Sequence, residues 1–114
     1  MDQQKPRVIK DFEKLSTELQ EQIKLVYPYG FSEDLISFTD RKGKLVSALP
    51  FETDEKYYLV RMTVSEALQL IEDDDDYDND GMLKEVVKNE FEGKYSEIDY
   101  IAENMGDDNG DDDD

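Results

Sequence analysis

The sequence predicts an α+β fold in which a three-stranded antiparallel sheet, a meander, packs against three to four helices in two layers. Three observations carry that expectation. Segments 34–40, 44–49 and 57–62 are rich in β-formers and are joined by turns short enough to demand antiparallel return. Apolar residues recur at helical spacing both before residue 30 and after residue 62. The chain has 114 residues, the size of one domain, and its 12 aromatic residues (five Phe, seven Tyr) supply enough area for one core.

Residues 1–10 carry scattered charge and Pro6 and read as an N-terminal arm that Val8 and Ile9 can anchor. Residues 11–105 form the expected domain. A first helix is predicted over 16–27 from the spacing of Leu15, Leu19, Ile23, Val26 and Tyr27, with Thr17 and Gln20 as a capping box and Pro28 and Gly30 as the stop. Arg41-Lys42-Gly43 makes the first hairpin turn, and Pro50 marks an edge or bulge at the end of the return strand. Residues 53–56 form the second turn.

Thr63 and Glu66 form a second capping box, opening a helix with Val64, Ala67, Leu68 and Ile71 inward and an end near 71 or 72. Asn79 or Asp80 is expected to cap a third helix that faces Leu83, Val86, Val87 and Phe91 inward and breaks at Gly93. Ser96 and Asp99 can open a last helix bearing Ile98, Ala102 and Met105. Residues 106–114 bury nothing and are expected to be a disordered acidic tail.

Charge divides the chain. Residues 1–62 hold 11 acids and 10 bases, whereas residues 63–114 hold 20 acids and 3 bases, nearly all of the net −18. Thirteen acids fall in two runs, 72–80 and 107–114, that contain no Lys or Arg. A concentrated field of one sign is a statement about partners more than about fold.

The sharpest motif lies in the inner run. Asp76, Asp78, Asp80 and Gly81 fall at positions 1, 3, 5 and 6 of an EF-hand calcium loop, Leu83 at the apolar position 8, and the segment joins two expected helices. Carboxylates at alternate positions can converge on Ca²⁺ or Mg²⁺ while glycine permits the sharp turn. The pattern departs where the bidentate glutamate belongs: position 12 is Val87, and Lys84 stands at position 9. Asp76, Asp78 and Asp80 are therefore candidate ligands for weak divalent-cation binding. The competing reading is a solvated acidic linker whose last residues cap a helix.

Enzymatic chemistry is not expected. The chain has no Cys and no His, which removes thiolate chemistry and the commonest general base. It has no phosphate-binding glycine loop, nucleophile elbow or zinc signature. No stretch is long and apolar enough for a membrane span, and residues 1–6 lack the apolar core of a secretory signal, so the expected location is cytoplasmic.

Arg41, Lys42 and Lys44 form a basic hairpin tip. With Arg61, Phe38, Tyr57 and Tyr58 it could stack a single-stranded nucleic acid, or it could be a charged turn above core aromatics. The acidic half would repel phosphates within a Debye length of ~8 Å, which argues against direct nucleic-acid binding.

Three segments, Ile9-Lys10-Asp11-Phe12-Glu13-Lys14-Leu15, Val46-Ser47-Ala48-Leu49-Pro50-Phe51-Glu52 and Tyr58-Leu59-Val60-Arg61-Met62, resemble a family of short acidic bacterial proteins without an established activity. The resemblance implies no catalytic or binding residues. The acidic runs can serve solubility, cation buffering, or docking on a basic protein surface, including that of a nucleic-acid-binding protein by mimicry of phosphates. Docking is the expected function, with Asp73, Asp74, Asp75, Asp76, Asp111, Asp112, Asp113 and Asp114 as the partner-binding residues.

Overall fold

The N-terminal half folds into a four-stranded mixed sheet, seen in a computed structural model that describes residues 5–101. Strands β1 (Arg7–Asp11), β2 (Ile36–Thr39), β3 (Leu45–Glu52) and β4 (Tyr57–Arg61) lie in the order β1-β4-β3-β2. Helices α1 (Thr17–Val26), α2 (Val64–Asp73) and α3 (Glu85–Lys94) follow in chain order, and residues 99–101 open a further helix. Among the described residues no helix is long and apolar enough to cross a membrane.

The α+β class holds, but the three-stranded antiparallel sheet is corrected to a four-stranded mixed one. The segment expected as an arm is β1, paired in parallel with β4 from Arg7↔Tyr57 to Asp11↔Arg61. A parallel neighbour requires a long crossover, and here α1, β2 and β3 all intervene between the two partners. Nothing local in residues 7–11 announces such a pairing. The remaining pairs, β2 with β3 and β3 with β4, are antiparallel as expected.

β3 runs through Pro50, which stands opposite Leu59. The Met62 N–H donates to the Ser47 carbonyl across β3 and β4, so alternate residues place Pro50 toward the other flank, which β2 leaves open beyond Ala48. The missing N–H therefore costs no ladder bond, and the Pro50 carbonyl accepts from the Tyr27 hydroxyl.

The core lies on one face of the sheet. Leu49, Phe51, Val60 and Met62 meet Ile23 and Leu25 of α1, Ala67 of α2 and Phe91 of α3. The opposite face carries Ile9 and Ile36, at 46% and 39% exposure.

Several local expectations change. α1 is capped by Ser16, whose hydroxyl accepts from the Leu19 N–H, while Gln20 donates to the carbonyls of Phe12 and Leu15 instead of closing a capping box with Thr17. The Thr63–Glu66 capping box forms, but Val64 and Leu68 stay exposed, and Ala67, Leu70 and Ile71 make the inward face. Val86 is likewise exposed. α3 continues through Gly93 to Lys94, and its N-cap is Lys84, with no side-chain cap. Ala102, Met105 and the expected tail lie outside the described residues.

Candidate functional site

The inner acidic run is a small hairpin. After α2 the chain turns at Asp74–Asp76, and a single antiparallel bridge pairs Tyr77 with Leu83. Both side chains are buried. The Tyr77 ring meets Phe31 edge-on at a centroid distance of 6.1 Å, and its hydroxyl donates to the Tyr27 carbonyl at 3.0 Å. The Leu83 N–H donates to the Pro28 carbonyl at 2.7 Å. These contacts fasten the hairpin to the loop that ends α1. Burial lifts the phenol pKa of Tyr77 well above its ordinary value and that of Tyr27 to about 12, so both hydroxyls stay protonated and donate, to the carbonyls of Tyr27 and Pro50 respectively.

At the tip of the hairpin the middle of the calcium-loop pattern forms a hydrogen-bonded turn. Asp78 Oδ1 accepts from the N–H groups of Asp80 and Met82, at 2.9 and 3.0 Å. The Gly81 N–H donates to the Asp78 carbonyl, the Asp78 N–H donates to the Met82 carbonyl, and Gly81 takes a φ of +80°. This is an Asp-initiated turn closed by a left-handed glycine. Met82 is position 7 of the pattern, whose carbonyl would be a calcium ligand. Here that oxygen receives an intrachain hydrogen bond.

Asp76 points elsewhere. The ammonium of Lys24 on α1 sits 2.6 Å from Asp74 Oδ2 and 2.9 Å from Asp76 Oδ2. Lys24 is itself buried, at 9% exposure. Burial opposes its charge, but the hydrogen bonds and charges of Asp74 and Asp76 outweigh that and hold its pKa above the ordinary lysine value. Asp76, Asp78 and Asp80 therefore serve three different surroundings: an internal cation, a turn and solvent. Among the described residues no three acidic side chains stand as a group that could hold a metal ion.

The expected partner-binding residues also separate. Asp74 and Asp76 face Lys24. Asp73 accepts from the Gln69 side-chain amide at 3.0 Å and remains exposed. Asp75 is exposed, as are Glu72 and Asp80. Asp111, Asp112, Asp113 and Asp114 lie outside the described residues.

Lys24 was not singled out by sequence reasoning. Its signal is a lone cation inside Gln22-Ile23-Lys24-Leu25, four consecutive buried positions. A buried lysine needs a counter-ion, and the nearest dense supply is residues 72–80.

In the β2–β3 turn, Arg41, Lys42 and Lys44 are exposed. Tyr58 stands opposite Phe51 on the core face, while Phe38 pairs with Val46 and Tyr57 with Glu52 on the other face. Those last two rings are six residues apart along β3, roughly 20 Å, and form no continuous stacking surface. Arg61 is paired with Asp11 at 3.1 Å.

A cleft of about 710 Å³ opens between α2 and the β2–β3 hairpin. Phe12, Met62 and Leu70 contribute apolar lining, and Glu13, Glu66 and Asp73 line it with carboxylates. No protein-family model matches the chain, and neither a curated protein nor a solved structure matches it.

Proposed function

We propose that this is a cytoplasmic, non-enzymatic interaction module that docks on a basic protein surface through its acidic hairpin. Such a surface includes one that ordinarily binds nucleic-acid phosphates. The observation that carries the reading is the sorting of the carboxylates. Asp74 and Asp76 share the one positive charge of Lys24, and Asp78 Oδ1 accepts from the backbone of its own turn. Glu72 in the last turn of α2, and Asp75 and Asp80 on the hairpin that Tyr77 and Leu83 anchor in the core, stay exposed. Charges held on a fixed support lose less entropy on binding than the same charges on a free chain. Clustered carboxylates also accelerate encounter with a Lys/Arg surface.

The test is affinity capture at graded salt with identification by mass spectrometry. The comparison uses the native chain, a Glu72→Gln/Asp75→Asn/Asp80→Asn variant, a chain lacking residues 107–114, and a charge-matched Glu18→Gln/Glu33→Gln/Glu92→Gln control. Captured partners should fall steeply with salt and with the hairpin variant, weaken with the tail deletion, and survive in the control. Capture that ignores both salt and the hairpin variant contradicts the reading.

A further inference from the structure

The cleft between α2 and the β2–β3 hairpin is continuous with the acidic hairpin, because Asp73 closes α2 and lines the cleft as well. Its chemistry is mixed in a particular way. Met62 and Phe12 are buried at 2% and 8% exposure, Leu70 is half-buried, and Leu45 stands at the lip with 72% of its surface exposed. Around this apolar strip stand Glu13, Glu66 and Asp73, all exposed. The two cations in the lining do not balance them, since Arg61 is already paired with Asp11 and only Lys44 remains. A volume of about 710 Å³ lies within the range of ligand-binding clefts.

We propose that this cleft takes a short basic segment of a partner protein. One aliphatic side chain of the segment seats against Leu70 and Leu45, above the buried Met62, and flanking lysines or arginines meet Glu13, Glu66 and Asp73. The inference rests on the docking reading above and adds to it an apolar anchor and a register. Charge alone attracts any cationic surface. An aliphatic residue flanked by cations is selected only where apolar lining and carboxylates share one cleft, as Leu70 does here with Glu13, Glu66 and Asp73. Leu45 is the counterpart of that anchor, a large exposed aliphatic side chain at the mouth of the cleft.

The experiment uses the full chain and two synthetic probes, the hexapeptide Lys-Arg-Leu-Lys-Arg-Lys and the same peptide with serine in place of leucine. Binding is read by fluorescence anisotropy at low salt and by methyl chemical shifts of Met62 and Leu70. The leucine peptide should bind about tenfold more tightly or better and should move both methyl signals. Leu45→Ser should narrow the preference for leucine. Glu13→Gln/Glu66→Gln should weaken both peptides, while glutamine at 66 preserves the capping box. Equal affinity for the two peptides, with shifts confined to residues 72–80, overturns the cleft and leaves electrostatic docking standing. Absence of binding by either peptide overturns both.

Discussion

Two turns in this molecule are built alike and charged oppositely. In Asp40-Arg41-Lys42-Gly43-Lys44, Asp40 Oδ1 accepts from the N–H groups of Lys42 and Lys44, the Gly43 N–H donates to the Asp40 carbonyl, and the Asp40 N–H donates to the Lys44 carbonyl. In Asp78-Asn79-Asp80-Gly81-Met82 the same four bonds recur at the same offsets. The glycines adopt φ of +81° and +80°. The first turn reads as a basic hairpin tip and the second as a calcium loop. The difference lies in the residues that the turn displays. An Asp-x-x-Gly turn therefore gives Asp78 and Gly81 the backbone role that Asp40 and Gly43 have, and it leaves Asp80 beside it as an exposed carboxylate.

The turns differ in support. The basic one joins β2 and β3, which pair from Ile36↔Ala48 to Thr39↔Leu45. The acidic one has the single bridge Tyr77↔Leu83 and depends on tertiary anchors. Tyr77→Ala should break the comparison most severely. It removes a side chain at 5% exposure, and the expected cost is about 3–4 kcal/mol by urea unfolding. Amide exchange should then rise over 74–84 and leave 36–48 protected.

Lys24→Met comes next. It strips the counter-ion from Asp74 and Asp76, and the expected loss is about 2 kcal/mol, below that for a fully buried pair because Asp76 keeps 33% of its side-chain surface. The sign with pH follows. A lysine whose folded pKa is raised contributes stability that is complete below its ordinary 10.5 and is lost as pH rises through the folded value. Tyr27 and Tyr77, also raised, lose stability in the same alkaline direction. Unfolding midpoints should fall above pH 10.5, less steeply in Lys24→Met. An unchanged slope in that variant would remove Lys24 from the account.

The smallest effect sharpens the likeness itself. Gly43→Ala and Gly81→Ala should each cost about 1 kcal/mol, the ordinary penalty for a left-handed alanine. A Cβ would meet nothing within 4 Å at Gly43 and only Ile71 Cγ2 at 3.9 Å at Gly81. Costs differing by more than about twofold would show that the turns are not energetically equivalent.

Much of this was legible in the chain because the signals are local. The Thr63–Glu66 box, the stop at Pro28, Gly43 in the first turn and the three antiparallel strands each depend on neighbours in sequence. β1 was not legible, since Arg7, Lys10 and Asp11 obscure Val8 and Ile9 and its partner strand begins 50 residues later. Asn79 and Asp80 carry the signature of a cap, but the turn at Asp78 holds them and α3 starts after Lys84. The alternating Asp76, Asp78 and Asp80 match a ligand pattern, while the shorter Asp-x-x-Gly pattern, present twice among the described residues, forms a hydrogen-bonded turn each time. Lys24 could be found only by asking where a buried cation obtains its charge partner.

The most direct test of the central claim is urea unfolding of the native chain, Asp40→Ala and Asp78→Ala, each with and without millimolar Ca²⁺. If both aspartates are turn formers, each substitution lowers stability by about 1 kcal/mol, and Ca²⁺ shifts none of the three curves. A calcium-dependent stabilisation of the native chain and of Asp40→Ala that vanishes in Asp78→Ala would contradict the account and restore the inner run as a cation site.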